Sequence, residues 1–133
     1  MAIQLSTTVR NARLDAIETT VGVSAILRIR DGALPANCAA ADAGAVLAEL
    51  NLPSDWMAAA SGGTKGILGT WQDLSANNSG TATHFRIYDS GGSTCHMQGT
   101  VGTAATDMIV TSTTFTAGAS FTITSFTLTD GNA

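Results

Sequence analysis

From Gly66 to Thr129, single apolar residues are set among Thr, Ser and Gly at strand spacing, with almost no charge. Val, Ile, Thr and aromatic side chains suit a pleated, half-buried surface, and Gly and Asn between the runs turn the chain. The pattern predicts a stack of short antiparallel strands. The clearest unit is a hairpin. Residues 83–88 and 95–101 flank the Gly-rich loop Asp89-Ser90-Gly91-Gly92-Ser93-Thr94. Phe85 and Ile87 share one face of the first strand, and Cys95, Met97 and Val101 share one of the second. Residues 66–74, 107–111 and 121–129 supply further strands. In the last, Phe126 and Leu128 fall out of phase with Phe121 and Ile123, which predicts a bulge at Ser125 or burial on both faces. Phe85, Ile87, Met97, Phe121 and Ile123 are the expected sheet core.

Upstream, residues 24–30 read as a strand closed by Asp31-Gly32, and residues 33–45 as a loop of small residues. Residues 46–52 alternate as a strand up to Pro53, and residues 58–63 read as a loose connection. Residues 9–21 form the one convincing helical pattern. Ser6, Thr7 and Thr8 are N-cap candidates, and Gly22 stands at the C′ position. Leu14, Ile17 and Val21 recur at helical spacing beside Val9, Ala12 and Ala16; Arg10, Arg13, Asp15 and Glu18 are assigned to the opposite side. Isolated helices need about 12–15 residues even when Ala-rich, so this one must dock on something. Its stripe is narrow for a domain core and adequate for a seam. Val9, Leu14, Ile17 and Val21 are therefore the candidate subunit or particle contact.

The expected fold class is mainly β: an antiparallel β-sandwich or jelly-roll-like domain over residues 23–133, preceded by an N-terminal arm and short α-helix over residues 1–22. At 133 residues the chain is long enough for one domain with its own core. Charged residues make up 12%, about half the usual share of roughly 25%. A surface of Thr, Ser, Asn, Gly and Ala suits permanent contact with other subunits, because charge is depleted at interface cores.

The six basic residues, Arg10, Arg13, Arg28, Arg30, Lys65 and Arg86, are scattered and the net charge is −4, so no nucleic-acid footprint is present. Arg28 and Arg30 share one strand face and read as solvated. No stretch has signal-peptide form or reaches the ~20 apolar residues of a membrane span. The expectation is a chain made in the cytoplasm, with no membrane partner.

Candidate chemistry is thin. His84 and His96 fall at different heights on adjoining strands, which argues against a shared metal. Asp89, Asp107 and Asp130 are not clustered for calcium. Residues 62–66, Gly-Gly-Thr-Lys-Gly, resemble a phosphate loop but lack the strand and helix that would aim backbone N–H groups at an anion. Trp56, Trp71 and Tyr88 would offer a sugar platform if exposed. Cys38 and Cys95 read as independent buried thiols, with a bridge open to a protein that leaves the cell. No catalytic, cofactor or metal site is assigned, and the chain is not expected to be an enzyme.

Three segments carry a resemblance: Leu5-Ser-Thr-Thr-Val-Arg-Asn-Ala-Arg-Leu-Asp-Ala-Ile-Glu18, Leu52-Pro-Ser-Asp-Trp-Met-Ala-Ala-Ala-Ser-Gly-Gly-Thr64 and Phe85-Arg-Ile-Tyr-Asp-Ser-Gly-Gly-Ser-Thr-Cys-His96. Together with Phe121–Asp130 they resemble a family of small virion structural proteins of tailed bacteriophages. The resemblance implies a virion component, assembled in the host cytoplasm. Within it, the first expectation is a capsid decoration (cement) protein, a homo-oligomer with a trimer favoured, bound to the major capsid protein. The alternative is a tail-tip, fibre or spike module contacting the host surface. A small glycan hydrolase is the remote alternative.

Overall fold

The computed structural model describes residues 3–131. Helix α1 (Thr7–Val21) is followed by β1 (Ile26–Arg30), β2 (Val46–Asn51), β3 (Thr64–Gly66), β4 (Gln72–Asp73), β5 (Gly80–Thr81), β6 (His84–Tyr88), β7 (Cys95–Gly102), β8 (Met108–Val110), β9 (Thr114–Phe115) and β10 (Phe121–Thr129). The molecule is mainly β with one N-terminal helix, as the patterning predicts. Eight strands form a curled mixed sheet in the order β2-β1-β6-β7-β8-β10-β3, with β4 also on β10; β5 and β9 make a small second sheet. Every described pair is antiparallel except β7 with β8.

The curl brings the two ends of the sheet together. The Glu49 amide of β2 donates to Asp73 Oδ2 at 3.2 Å, and the Asn77 amide donates to the Leu47 carbonyl at 2.8 Å. These bonds occupy part of the β2 edge that would otherwise template another strand.

Inside the curl, Trp56, Trp71, Phe126 and Phe85 run in series with ring centroids 5.9, 5.8 and 5.3 Å apart. Around them lie Leu27, Ile29, Leu47, Leu50, Ile87, Met108, Phe121 and Ile123, all buried. The expected core is thus in place, with Met97 packed against it and half-buried. The phase slip in β10 is also found: its register with β8 shifts between Ile123 and Ser125.

Three local readings change. Residues 66–74 are not one strand, because the chain breaks at Gly69, whose φ is +73°, and divides into β3 and β4. β5 and β9, two residues each, are too short to leave a period in the sequence. The third concerns Cys95. A bulge between Ile87 and Tyr88 sets Tyr88 opposite Cys95 while Ile87 faces Met97. Cys95 therefore shares the outer face with Tyr88, Arg86 and Gln98, and not the inner face with Met97.

Candidate functional site

Helix α1 begins where the hydroxyl of Ser6 accepts from the Val9 amide at 3.2 Å, and ends where the Gly22 amide donates to the Glu18 carbonyl at 2.9 Å. Gly22 has φ +95°, a conformation that favours glycine. The helix is not a free arm. Leu14 and Val21 are 3% and 6% exposed against this chain's own β-domain, and Ile17 packs on the same core. Of the candidate contact residues only Val9 is exposed. The expectation that this stripe faces another subunit is therefore corrected.

The reason lies in a second, polar stripe. Asn11, Asp15 and Glu18 recur at i, i+4 and i+7 and accept four backbone N–H groups of the segment 56–63. Asn11 Oδ1 takes the Gly63 amide, Asp15 Oδ1 that of Ala60, and Glu18 Oε1 those of Trp56 and Met57, all at 2.9–3.1 Å. The Trp56 indole N–H returns to the Gly22 carbonyl at 3.0 Å, and the Arg10 guanidinium donates to the Asp130 carbonyl at 3.0 Å. Gly63, at φ +79°, lies so close under Arg10 that a Cβ there would collide with the guanidinium. The loose connection read at 58–63 is thus held by the helix. Asp15 and Glu18 face the domain, not the solvent side to which periodicity assigned them.

Beneath this latch sits Lys65, 3% exposed. Its ammonium uses all three donors: 2.8 Å to Asp15 Oδ1, 2.8 Å to Glu18 Oε2 and 2.9 Å to the Ala58 carbonyl. Burial works against its charge, but the two carboxylates outweigh it and raise the ammonium above its ordinary value. The Lys65 hydrogen bond, then the Ala60 amide, hold Asp15 below the usual aspartate range. For Glu18 burial pushes upward, and the bonds from Lys65 and the Met57 amide prevail and lower it. A cleft of about 540 Å³ opens beside the cluster, lined by Asp15, Glu18, Asp55, Lys65, Val23 and Met57 among others. Residues 62–66 are the turn into β3, and the lysine of that sequence serves the latch.

The second polar cluster lies on the outer face of β1 and β6 under the loop 32–45. Strand β6 is buried on both sides: Phe85 and Ile87 inward, His84, Arg86 and Tyr88 outward beneath the loop. Arg86 donates to the Asn37 and Ala40 carbonyls at 2.9 and 3.1 Å, and Gln98 to the Pro35 carbonyl at 2.7 Å. Asp42 gathers Arg86, Tyr88 and Arg30 at 2.5, 2.5 and 3.0 Å. Burial alone would raise Asp42; the bonds from Tyr88 and Arg86 and the neighbouring positive charges lower it instead. Arg28 pairs with Glu49 at 2.7 Å and lies over the Tyr88 ring at 4.7 Å. Arg28 and Arg30 are therefore covered and paired, not solvated as read from the sequence.

His84 is fully buried there. The Thr83 hydroxyl donates to the Gly32 carbonyl at 2.5 Å, so its contact with His84 Nδ1 at 3.0 Å places the proton on Nδ1. Burial, then the charges of Arg30 and Arg86, lower the pKa of the ring. His96 is exposed on β7, while His84 stands opposite Thr100, four positions away, so the two do not meet. Asp89 caps its hairpin loop through the Ser93 and Thr94 amides, Asp107 accepts from Thr100, and Asp130 pairs with Arg13 at 3.2 Å. Among the described residues no group of three His, Cys, Asp or Glu side chains is placed to hold a metal. Trp56, Trp71 and Tyr88 are buried, so they offer no sugar platform.

Cys38 and Cys95 are both free and half-buried; the Cys95 thiol donates to the Met97 carbonyl at 3.4 Å, and Cys38 is near enough to help raise its pKa. The sequence reading missed this pair and the latch. The spacing of Asn11, Asp15 and Glu18, with one lysine in an otherwise uncharged stretch, is the signal that could have found the latch. No protein-family model, no curated protein and no solved structure matches the chain.

Proposed function

We propose that this chain is a bacteriophage virion structural protein, a decoration protein that binds the outside of the assembled head as a homo-oligomer, with a trimer favoured. The observation that carries the reading is the way charge is spent. Each of the six basic side chains has a carboxylate or carbonyl partner within the chain. What faces outward is largely uncharged. Along β10 the exposed positions are Thr122, Thr124, Ser125, Thr127 and Thr129, and elsewhere Ile3, Val23, Leu68 and Leu74 expose apolar side chains. Such a surface suits permanent packing, since few charges must be desolvated when it is covered.

The contact moves accordingly from the buried helix stripe to the outer surface of the β-domain, with Val9 as the part of the helix still exposed. The mechanism is linkage: a protein that binds the assembled shell and not free capsid subunits stabilises the shell by mass action, and many copies multiply a modest contact. A glycan hydrolase reading needs a carboxylic acid with a raised pKa; Asp15 and Glu18 are shifted the other way.

The test is co-sedimentation of the purified chain with empty heads that lack it, and light scattering of the chain alone. The expected result is an oligomer that joins the heads and raises their disruption temperature. A chain that stays monomeric and binds neither heads nor tails overturns the virion reading, and binding to tails alone moves it to the tail.

A further inference from the structure

We propose that Cys38 and Cys95 are a redox-operated staple, forming an intrachain disulfide that locks the loop 32–45 onto the outer face of the sheet. The inference stands on the fold and is independent of any role in a virion.

Two features bring the thiols together. The bulge at Tyr88 turns Cys95 to the outer face, on the same side as Arg86 and Gln98. The loop is gripped on both sides of Cys38 by those two residues: Gln98 holds the Pro35 carbonyl, and Arg86 holds the carbonyls of Asn37 and Ala40. Asn37 Oδ1 also accepts the Ala39 and Ala40 amides, so the turn carrying Cys38 is shaped locally as well as clamped. Together these contacts set the turn carrying Cys38 over the face from which the Cys95 thiol projects. Bridging requires the Cys95 thiol, which donates to the Met97 carbonyl at 3.4 Å, to turn toward Cys38 on the same face of the sheet.

The oxidant is a low-molecular-weight disulfide such as oxidised glutathione. Burial, then the Cys38 neighbour, push the Cys95 thiol up to about 12, so Cys95 is a poor first nucleophile. The Cys38 thiolate attacks one sulfur of the oxidant, forming a mixed disulfide and expelling one thiolate. Cys95 gives up its proton and attacks the Cys38 sulfur, forming the protein disulfide and expelling the second. In this intramolecular step proximity offsets the low thiolate fraction. Overall, two protein thiols lose two electrons and two protons, and one small disulfide becomes two thiols.

The experiment oxidises the reduced, folded full chain with glutathione disulfide, blocks residual thiols by alkylation and digests with trypsin. Cleavage after Arg30, Lys65 and Arg86 places Cys38 in peptide 31–65 and Cys95 in peptide 87–133, each with a single cysteine. Linked 31–65/87–133 is expected, together with a Tm higher by roughly 10 °C, reversed by dithiothreitol. Cys38→Ser and Cys95→Ser chains, which keep a small polar side chain, should show neither change. Glutathione left on either cysteine without the linked peptide, or a linked peptide with an unchanged Tm, overturns the staple.

Discussion

Replacing Lys65 by Met tests whether the helix is part of the domain. Met keeps an unbranched apolar stem in the same space and removes only the ammonium. The loss strips Glu18 of its ion pair and the Ala58 carbonyl of its donor. Removing one partner of a buried pair costs about 3–5 kcal/mol. The lower end applies, because Glu18 keeps the Trp56 and Met57 amides and Asp15, with a 44% exposed side chain, re-solvates in place. A loss of about 3 kcal/mol lowers the Tm of a domain this size by roughly 10 °C.

The pH dependence sharpens the test. The folded Lys65 pKa lies above 10.5, so its contribution is present below 10.5 and lost as pH rises through the folded value. The folded Glu18 pKa lies below 4.5, so its contribution is present above 4.5 and lost as pH falls through the folded value. The stability gap between parent and Lys65→Met should therefore be flat near neutral pH and narrow at both extremes. Urea unfolding across that range measures it, and a cycle with Glu18→Gln should give a coupling of about 1–2 kcal/mol. A Lys65→Met chain that unfolds like its parent at neutral pH, with a gap that ignores pH, would refute the latch.

Leu14→Ala should cost about 2–4 kcal/mol in the isolated chain, read by thermal melting, because Leu14 is buried in its own domain; an unchanged Tm would restore the free-arm view. His84 is held below its ordinary pKa of 6.5, so its contribution is full above 6.5 and is lost as pH falls toward the lower folded value. In His84→Gln the slope of stability against pH just below 6.5 should flatten, whatever the variant's absolute stability; an unaltered slope would mean that the ring takes up its proton equally in the folded and unfolded chain, so that burial does not lower its pKa.

Local periodicity carried most of the element list. Alternation at 84–88 and 121–129, the cap at Ser6, the stop at Gly22 and the phase slip before Phe126 were legible, because each depends on a few neighbouring residues. The main charge-poor inference was legible too, since composition is a property of the chain itself. Burial of Leu14 and Val21 was legible as an apolar stripe, but not what covers it.

That partner was set by contacts between residues far apart in sequence. Glu18 reaches the Trp56 and Met57 amides across nearly forty residues of chain, and backbone N–H groups leave no mark in a sequence. Arg86 and Asp42 look like isolated surface charges until the loop 32–45 folds back and pairs them. That Cys95 lies on the same side of the sheet as the loop carrying Cys38 depends on one bulge, because a single extra residue in β7 moves Cys95 to the opposite face of the sheet from the one that strict alternation assigns. Hydrophobic patterning records which side chains avoid water. Which polar groups find one another is decided only when the sheet curls and the loop and helix close over it.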